Sequence, residues 1–253
     1  MKKNSKNLFR FEGQVAVVTG AAKGVGAATA RVLASLGARV AALDSDETGV
    51  SAIVQELGSE SKAFVLDVSD VDAGRKVIKR IAKEFGRIDI LVNVAGICPR
   101  LPFLKSSVRD WDLIFNVNAR SQFFLIQAVC PMMKLQGGGR IVNVASTAGR
   151  TGTFSNASIY SGTKGAIAMF TKSIAREVAE DNILVNCIAP GVLDTRLMWD
   201  LPKESRESLC QQIPLKRLGR PEEVAHCIAF LVSRECSYAT GATFDINGGW
   251  LML

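Results

Sequence analysis

Tyr160 and Lys164 stand four residues apart in Tyr160-Ser161-Gly162-Thr163-Lys164. Four residues make about one helical turn, so on a helix the phenol and the ammonium share a face. A free phenol titrates at about 10 and carries protons poorly at neutral pH. A fixed cation nearby favours the phenolate, and lowering the pKa by roughly 3 units takes about 4 kcal/mol of differential stabilisation. A desolvated lysine within hydrogen-bond range is expected to supply it. The pair then suits acid-base work on a substrate oxygen. The same spacing also describes two residues on a helix surface, so the rest of the chain must supply the context.

Rival catalysts are few. His226 is the only histidine, and Pro221-Glu222-Glu223-Val224-Ala225-His226 reads as a helix start with proline and acids in its first turn. One histidine excludes multi-histidine metal sites and leaves any Ser-His-Asp triad resting on a single residue. The six cysteines, Cys98, Cys130, Cys187, Cys210, Cys227 and Cys236, are scattered without a CxxC spacing. Reduced thiols of a cytoplasmic protein are the expected state.

The elements that must position the pair show as alternation. Short, nearly continuous apolar runs fall at 14–19, 39–43, 63–66, 89–93, 140–145, 183–188 and 242–246. Such runs predict parallel strands buried on both faces. Helical stretches near 24–36, 46–57, 70–85, 107–134, 157–180 and 221–233 lie between them. The alternation predicts one α/β domain over residues 11–253, a doubly wound parallel sheet with helices on both faces. Residues 1–10 are basic and expected to be a solvated tail without a signal-peptide core. Residues 191–215 interrupt the rhythm with an amphipathic excursion holding two prolines, the place where α/β proteins put substrate lids.

The first strand runs into Thr19-Gly20-Ala21-Ala22-Lys23-Gly24-Val25-Gly26. Glycines between a first strand and a first helix let a pyrophosphate approach the helix amino terminus. The spacing is G-x-x-x-G-x-G and differs from the common G-x-G-x-x-G fingerprint. Asp44 ends the second strand, where an acid accepts hydrogen bonds from an adenosine ribose and repels a 2′-phosphate. That favours NAD, whereas Lys23 in the glycine loop speaks for NADP. Asp67-Val68 follows the third strand and either reaches the adenine or caps the next helix.

These residues resemble the short-chain dehydrogenase/reductase family over essentially the whole chain. The resemblance rests on the glycine loop, Asn93-Val94-Ala95-Gly96, Asn118, Ser146 in Ser146-Thr147-Ala148-Gly149, Tyr160, Lys164, Pro190-Gly191 with Thr195, and Phe244-Asp245-Ile246-Asn247-Gly248-Gly249. Two features depart from the pattern. Val94 stands where the family usually has a second asparagine. Ser146 lies 14 residues before Tyr160, one more than usual, so Thr147 would restore the spacing unless the loop at 154–156 takes the extra residue.

The resemblance implies a Rossmann-type seven-stranded sheet and hydride transfer between a nicotinamide and an alcohol or ketone. Tyr160 would be the acid-base group, and Lys164 would lower its pKa and hold the nicotinamide ribose. Ser146 would bind the substrate oxygen, and Asn118 would hold a water linking Lys164 to solvent. Gly20, Lys23, Gly24, Val25, Gly26, Asp44, Asp67, Val68, Asn93, Ala95, Gly96, Pro190, Gly191, Val192 and Thr195 would line the dinucleotide. Cys98, Arg100, Arg150, Phe154 and the lid are candidates for the substrate side. An arginine facing the pocket would imply an acidic substrate.

Two other readings stay open: an NADPH-dependent 3-oxoacyl-[acyl-carrier-protein] reductase, which Asp44 opposes, and a nucleotide-binding scaffold without catalysis. The net charge of +7 is spread along the chain, and no nucleic-acid or membrane segment is expected. The family usually assembles as homotetramers or dimers through the helices near 107–134 and 157–180, and the apolar end Trp250-Leu251-Met252-Leu253 fits burial against a neighbour.

Overall fold

The computed structural model describes residues 9–153, 156–195 and 202–252. Seven strands form one sheet: β1 (Val15–Thr19), β2 (Arg39–Asp44), β3 (Lys62–Val65), β4 (Ile90–Asn93), β5 (Gly139–Val144), β6 (Ile183–Pro190) and β7 (Thr243–Ile246). Their order is β3-β2-β1-β4-β5-β6-β7, and every neighbouring pair is parallel. Nine α-helices are seen among the described residues: α1 (Gly24–Ser35), α2 (Glu47–Leu57), α3 (Val71–Phe85), α4 (Val108–Phe115), α5 (Ser121–Leu135), α6 (Ala148–Thr151), α7 (Ser158–Val178), α8 (Lys203–Gln212) and α9 (Pro221–Val232). This is the doubly wound parallel sheet that the alternation predicts and the Rossmann-type fold that the resemblance implies.

Alternate residues of each strand serve opposite layers. Ala16, Val18, Val40 and Ala42 pack with Leu33 of α1, Val50 of α2 and Ile228 of α9. Val15, Val17, Ala41 and Leu43 pack with Ile81 of α3, Ile126 of α5 and Ile174 of α7. With both faces covered, β1 is buried along its whole length, which explains its unbroken Val-Ala-Val-Val. Each fully buried valine or leucine contributes about 1.5–3 kcal/mol.

The strand order reverses between β1 and β4, so a crevice opens at their carboxyl ends. The turns after β1, β4, β5 and β6 all meet there and carry most of the candidate site residues.

The structure differs from expectation in three places. The single helix expected over 107–134 is α4 and α5 joined by one π turn, Asn116–Arg120, in which the Ser121 amide bonds back to the Asn116 carbonyl. A short α6 follows Ser146, and α8 lies within the excursion. Residues 1–8 of the expected tail, Phe154, residues 196–201 of the expected lid and Leu253 lie outside the described residues.

Candidate active site

Helix α7 carries Tyr160, Thr163 and Lys164. Thr163 and Lys164 point inward, and Lys164 is 4% exposed. The Thr163 hydroxyl donates to the Tyr160 carbonyl at 2.7 Å, which fixes this turn internally. Gly149 of α6 packs directly on α7, since a Cβ there would lie 2.5 Å from the Lys164 carbonyl carbon. That close approach carries α6, and Ser146 before it, up to the phenol.

The Ser146 hydroxyl is hydrogen-bonded to Tyr160. It also accepts from the Ala148 amide at 3.1 Å. The Thr147 amide donates instead to the Pro190 carbonyl at 3.0 Å, and its residue opens α6. Ser146, and not Thr147, therefore meets Tyr160. Asn156, with φ +52°, marks the loop expected to absorb the extra residue.

Lys164 departs from the expected geometry. Its Nζ donates to the Val144 carbonyl at 2.7 Å and lies 5.5 Å from the Tyr160 ring centroid. Burial holds the ammonium down at about 8. Burial pushes the Tyr160 phenol up to about 12, and the Ser146 hydrogen bond opposes it only in part. The expected cation-lowered phenol is thus corrected: burial is the largest influence on Tyr160, and the lysine is bonded to the Val144 carbonyl and not to the hydroxyl.

Asn118 sits in the π turn and is fully buried. Its Oδ1 accepts from the Ile97 amide at 2.8 Å, and its Nδ2 donates to the Ile97 carbonyl at 2.9 Å and to Thr163 Oγ1 at 3.2 Å. The side chain expected to hold a water is committed to bracing the turn after β4 against α7.

At the nucleotide end, Gly20 has φ +66°, and a Cβ there would lie 2.9 Å from the Ala95 backbone. A Cβ on Gly26 would overlap the Gly20 carbonyl. Both positions need glycine for α1 to start tight against the turn. Helix α1 begins at Gly24 after the exposed Lys23 and has no side-chain cap, so its first amides, with Val25 beside them, are available to an anion. Gly96 is exposed, and a Cβ there would stand 3.2 Å from Asn118 Oδ1 and 3.6 Å from Lys164 Nζ. Bare backbone thus opens beside the lysine. These features fit a dinucleotide lying from α1 to Lys164.

Thr19, which sequence reasoning passed over, organises this end. Its buried Oγ1 accepts from the amides of Val94 and Ala95 at 3.0 and 3.1 Å. The one signal was a hydroxyl ending an otherwise apolar strand. Because Thr19 holds the Val94 main chain, the missing second asparagine leaves the turn intact. Asn93 is buried inside the sheet and donates to Asn143 at 2.9 Å, which donates to Thr171 at 3.0 Å.

Asp44 Oδ2 accepts from the Ala22 amide and Oδ1 from the Asp46 amide, each at 3.0 Å. The acid thus ties β2 to the glycine loop. Asp67 is exposed and accepts from the Ser69 amide at 2.9 Å, whereas Asp70 caps α3. Val68 beside it is buried. After β6, the Gly191 amide bonds to the Ile246 carbonyl at 3.0 Å, and Pro190, Gly191, Val192 and the half-buried Thr195 run along the crevice mouth.

On the substrate side, Cys98 is half-buried, its thiol pushed up by burial and opposed by Arg100 and Lys164. Arg100 is exposed. Arg150 is turned toward β7: its Nε stands 3.4 Å from Asp245 and its Nη2 donates to the Thr243 carbonyl at 3.3 Å. An internal ion pair therefore occupies the arginine that was a candidate for an acidic substrate. His226 is exposed on α9, all six thiols are free, and no group of three or more metal-ligating side chains occurs among the described residues. No described helix is long and apolar enough to cross a membrane.

Known proteins resemble this chain in sequence. A family model described as enoyl-(acyl carrier protein) reductase matches residues 20–251. The 3-oxoacyl-[acyl-carrier-protein] reductase FabG of Thermotoga maritima is 40% identical over 244 residues, covering 95% of this chain and 99% of that protein. The enzymes of the same name from Escherichia coli and Vibrio cholerae are 39% and 41% identical, each covering 97% of this chain and 100% of their own length.

Proposed function

Because the chain belongs to the short-chain dehydrogenase/reductase family, whose members are nicotinamide-dependent oxidoreductases, we propose that it reduces the 3-oxo group of an acyl thioester borne on an acyl carrier, with NADPH as reductant. The observation that carries this reading is the 39–41% identity, over nearly the full length of both chains, to 3-oxoacyl-[acyl-carrier-protein] reductases, with Tyr160 beside Ser146 in the crevice. The Tyr160 phenol, raised by burial and set beside Ser146, is placed to give a proton to a ketone oxygen. A dinucleotide held by the Gly20 turn, the first amides of α1 and Lys164 would supply the hydride. Ser146 donates a hydrogen bond to the carbonyl oxygen and stabilises its developing charge. Tyr160 gives its proton to that oxygen, and the product is the 3-hydroxyacyl thioester. Lys164, 5.5 Å from the ring centroid, stabilises the phenolate that remains. The intact Tyr160, Lys164 and Ser146 set speaks against a scaffold without catalysis.

A second reading keeps the chemistry and changes the partners: NADH with a secondary alcohol or ketone. Asp44 favours it through its charge at the end of β2. Against it, both carboxylate oxygens already accept main-chain amides, which partly neutralises that charge, and the exposed Lys23 stands one residue beyond Ala22.

We infer further that the chain is a cytoplasmic homo-oligomer. Trp111 of α4, Phe123 of α5 and Met169 of α7 are exposed apolar side chains on the helices expected to meet a neighbour. Initial rates with 3-oxobutanoyl thioesters and a panel of ketones, each with NADH and NADPH, test the functional reading. Turnover of the thioesters with NADPH is expected. Turnover of simple ketones alone, driven by NADH, would replace the first reading by the second.

A further inference from the structure

A cleft of about 460 Å³ lies between α8 and the loop that precedes α9. Lys203, Arg206, Lys216, Arg217 and Arg220 line it against two carboxylates, Asp194 and Glu207. Much of this charge is internally paired. Arg217 forks onto Glu223 at 2.7 and 2.8 Å, Arg220 stands 3.9 Å from the same acid, and Lys203 stands 3.7 Å from Glu207. Two cations remain without an acid among the described residues. Lys216 Nζ donates to the Gln211 carbonyl at 2.6 Å. Arg206 is half-buried, and its Nε is fully buried without a hydrogen-bond partner. A buried, unpartnered guanidinium N–H is unfavourable unless an acceptor joins it.

The cleft adjoins the candidate active site through the chain itself. Leu193 bridges to Gly219, and the Asp194 amide donates to the Gly219 carbonyl at 2.8 Å. The segment that leaves Pro190 along the crevice thus becomes one wall of the cleft four residues later, at Asp194.

We propose that Arg206 and Lys216 bind a phosphate group, that of the phosphopantetheine arm carrying the thioester. The cleft supplies charge complementarity, and guanidinium and ammonium donors together match a phosphate. The identity of the arm rests on the thioester reading above, whereas the phosphate site stands on the cleft alone.

Two thioesters that differ by one phosphate test it: 3-oxobutanoyl-phosphopantetheine and 3-oxobutanoyl-pantetheine. The wild-type protein is expected to show a KM at least about tenfold lower for the phosphorylated substrate. In the Arg206→Gln, Lys216→Gln double variant that preference disappears, with the pantetheine thioester turned over as before. Equal KM values in the wild type, or a preference that survives in the variant, overturn the proposal. Calorimetric titration with phosphopantetheine and with inorganic phosphate separates the two readings. If no thioester is turned over yet phosphopantetheine binding is lost in the variant, the function falls and the phosphate site stands. If inorganic phosphate binds as tightly as phosphopantetheine, the site is a free-anion site and the carrier arm is refuted.

Discussion

Lys164 Nζ is fastened to the Val144 carbonyl at 2.7 Å, at the end of the strand that leads into Ser146. One hydrogen bond therefore couples the buried ammonium of α7 to the segment bearing the partner of Tyr160. The ammonium is held in a site that opposes its charge, and it titrates at about 8 instead of 10.5. At pH 7 the lysine is protonated both folded and unfolded, so the cost of burying the charge is fully felt. Between about 8 and 10.5 the unfolded chain binds more protons than the folded one, and stability rises with pH. The shift corresponds to about 3 kcal/mol. Denaturant melts of the wild type and Lys164→Met at pH 7.0 and pH 10.0 check this, and the wild type is expected to gain on the variant as pH rises. Parallel behaviour at the two pH values would refute the depressed lysine.

Tyr160→Phe removes the proposed proton donor and leaves the glycine turn, Thr19 and the α1 terminus untouched. Turnover should fall about 10²- to 10⁴-fold, the usual worth of a positioned acid. Dinucleotide affinity, read by fluorescence titration, should stay within about twofold of wild type. A variant with near-normal kcat would remove Tyr160 from the chemistry.

The strands were legible because burial on both faces leaves an apolar signature that needs no partner to be recognised. The observed β1, β4 and β7 start within a residue of the expected runs, and β6 extends to Pro190 because β7 pairs with it as far as Ile246. The π turn at Asn116–Arg120 was not legible, since its cause is a tertiary contact: Asn118 reaching Ile97 across the crevice. Arg150 illustrates the same limit. Its position after a strand suggested the pocket, but Asp245, 95 residues away in sequence, claims it. Spacing reveals which residues share an element, and it leaves open which partner a long side chain finds.

Asn118→Ala tests the brace. The change leaves the Ile97 amide and carbonyl without their partners, at about 1–3 kcal/mol for each unsatisfied group. A lower melting temperature and weaker dinucleotide binding are expected together, because the turn bearing Gly96 loses its tie to α7. Tyr160→Phe should move neither quantity, which separates bracing from proton transfer. An Asn118→Ala protein of wild-type stability, defective only in kcat, would show the carboxamide acting on the reaction directly.

Asp44 decides between the two cofactor readings. Its carboxylate sits at the end of β2 and receives the Ala22 and Asp46 amides. Two like charges about 4 Å apart near a protein surface repel by up to about 4 kcal/mol, and screening by solvent and salt reduces this. Even about 1.4 kcal/mol changes a specificity ratio tenfold. Asp44→Ser retains an acceptor for the Ala22 amide and removes the charge. If the acid repels a 2′-phosphate in the native enzyme, the ratio of kcat/KM for NADPH to that for NADH should rise at least about tenfold in the variant. If the loop amides already neutralise it and Lys23 meets the phosphate, the wild type should prefer NADPH and Asp44→Ser should change the ratio little. Lys23→Gln should then lower kcat/KM for NADPH alone. A wild-type enzyme that prefers NADH, and whose preference survives Asp44→Ser, would show that neither residue sets the choice.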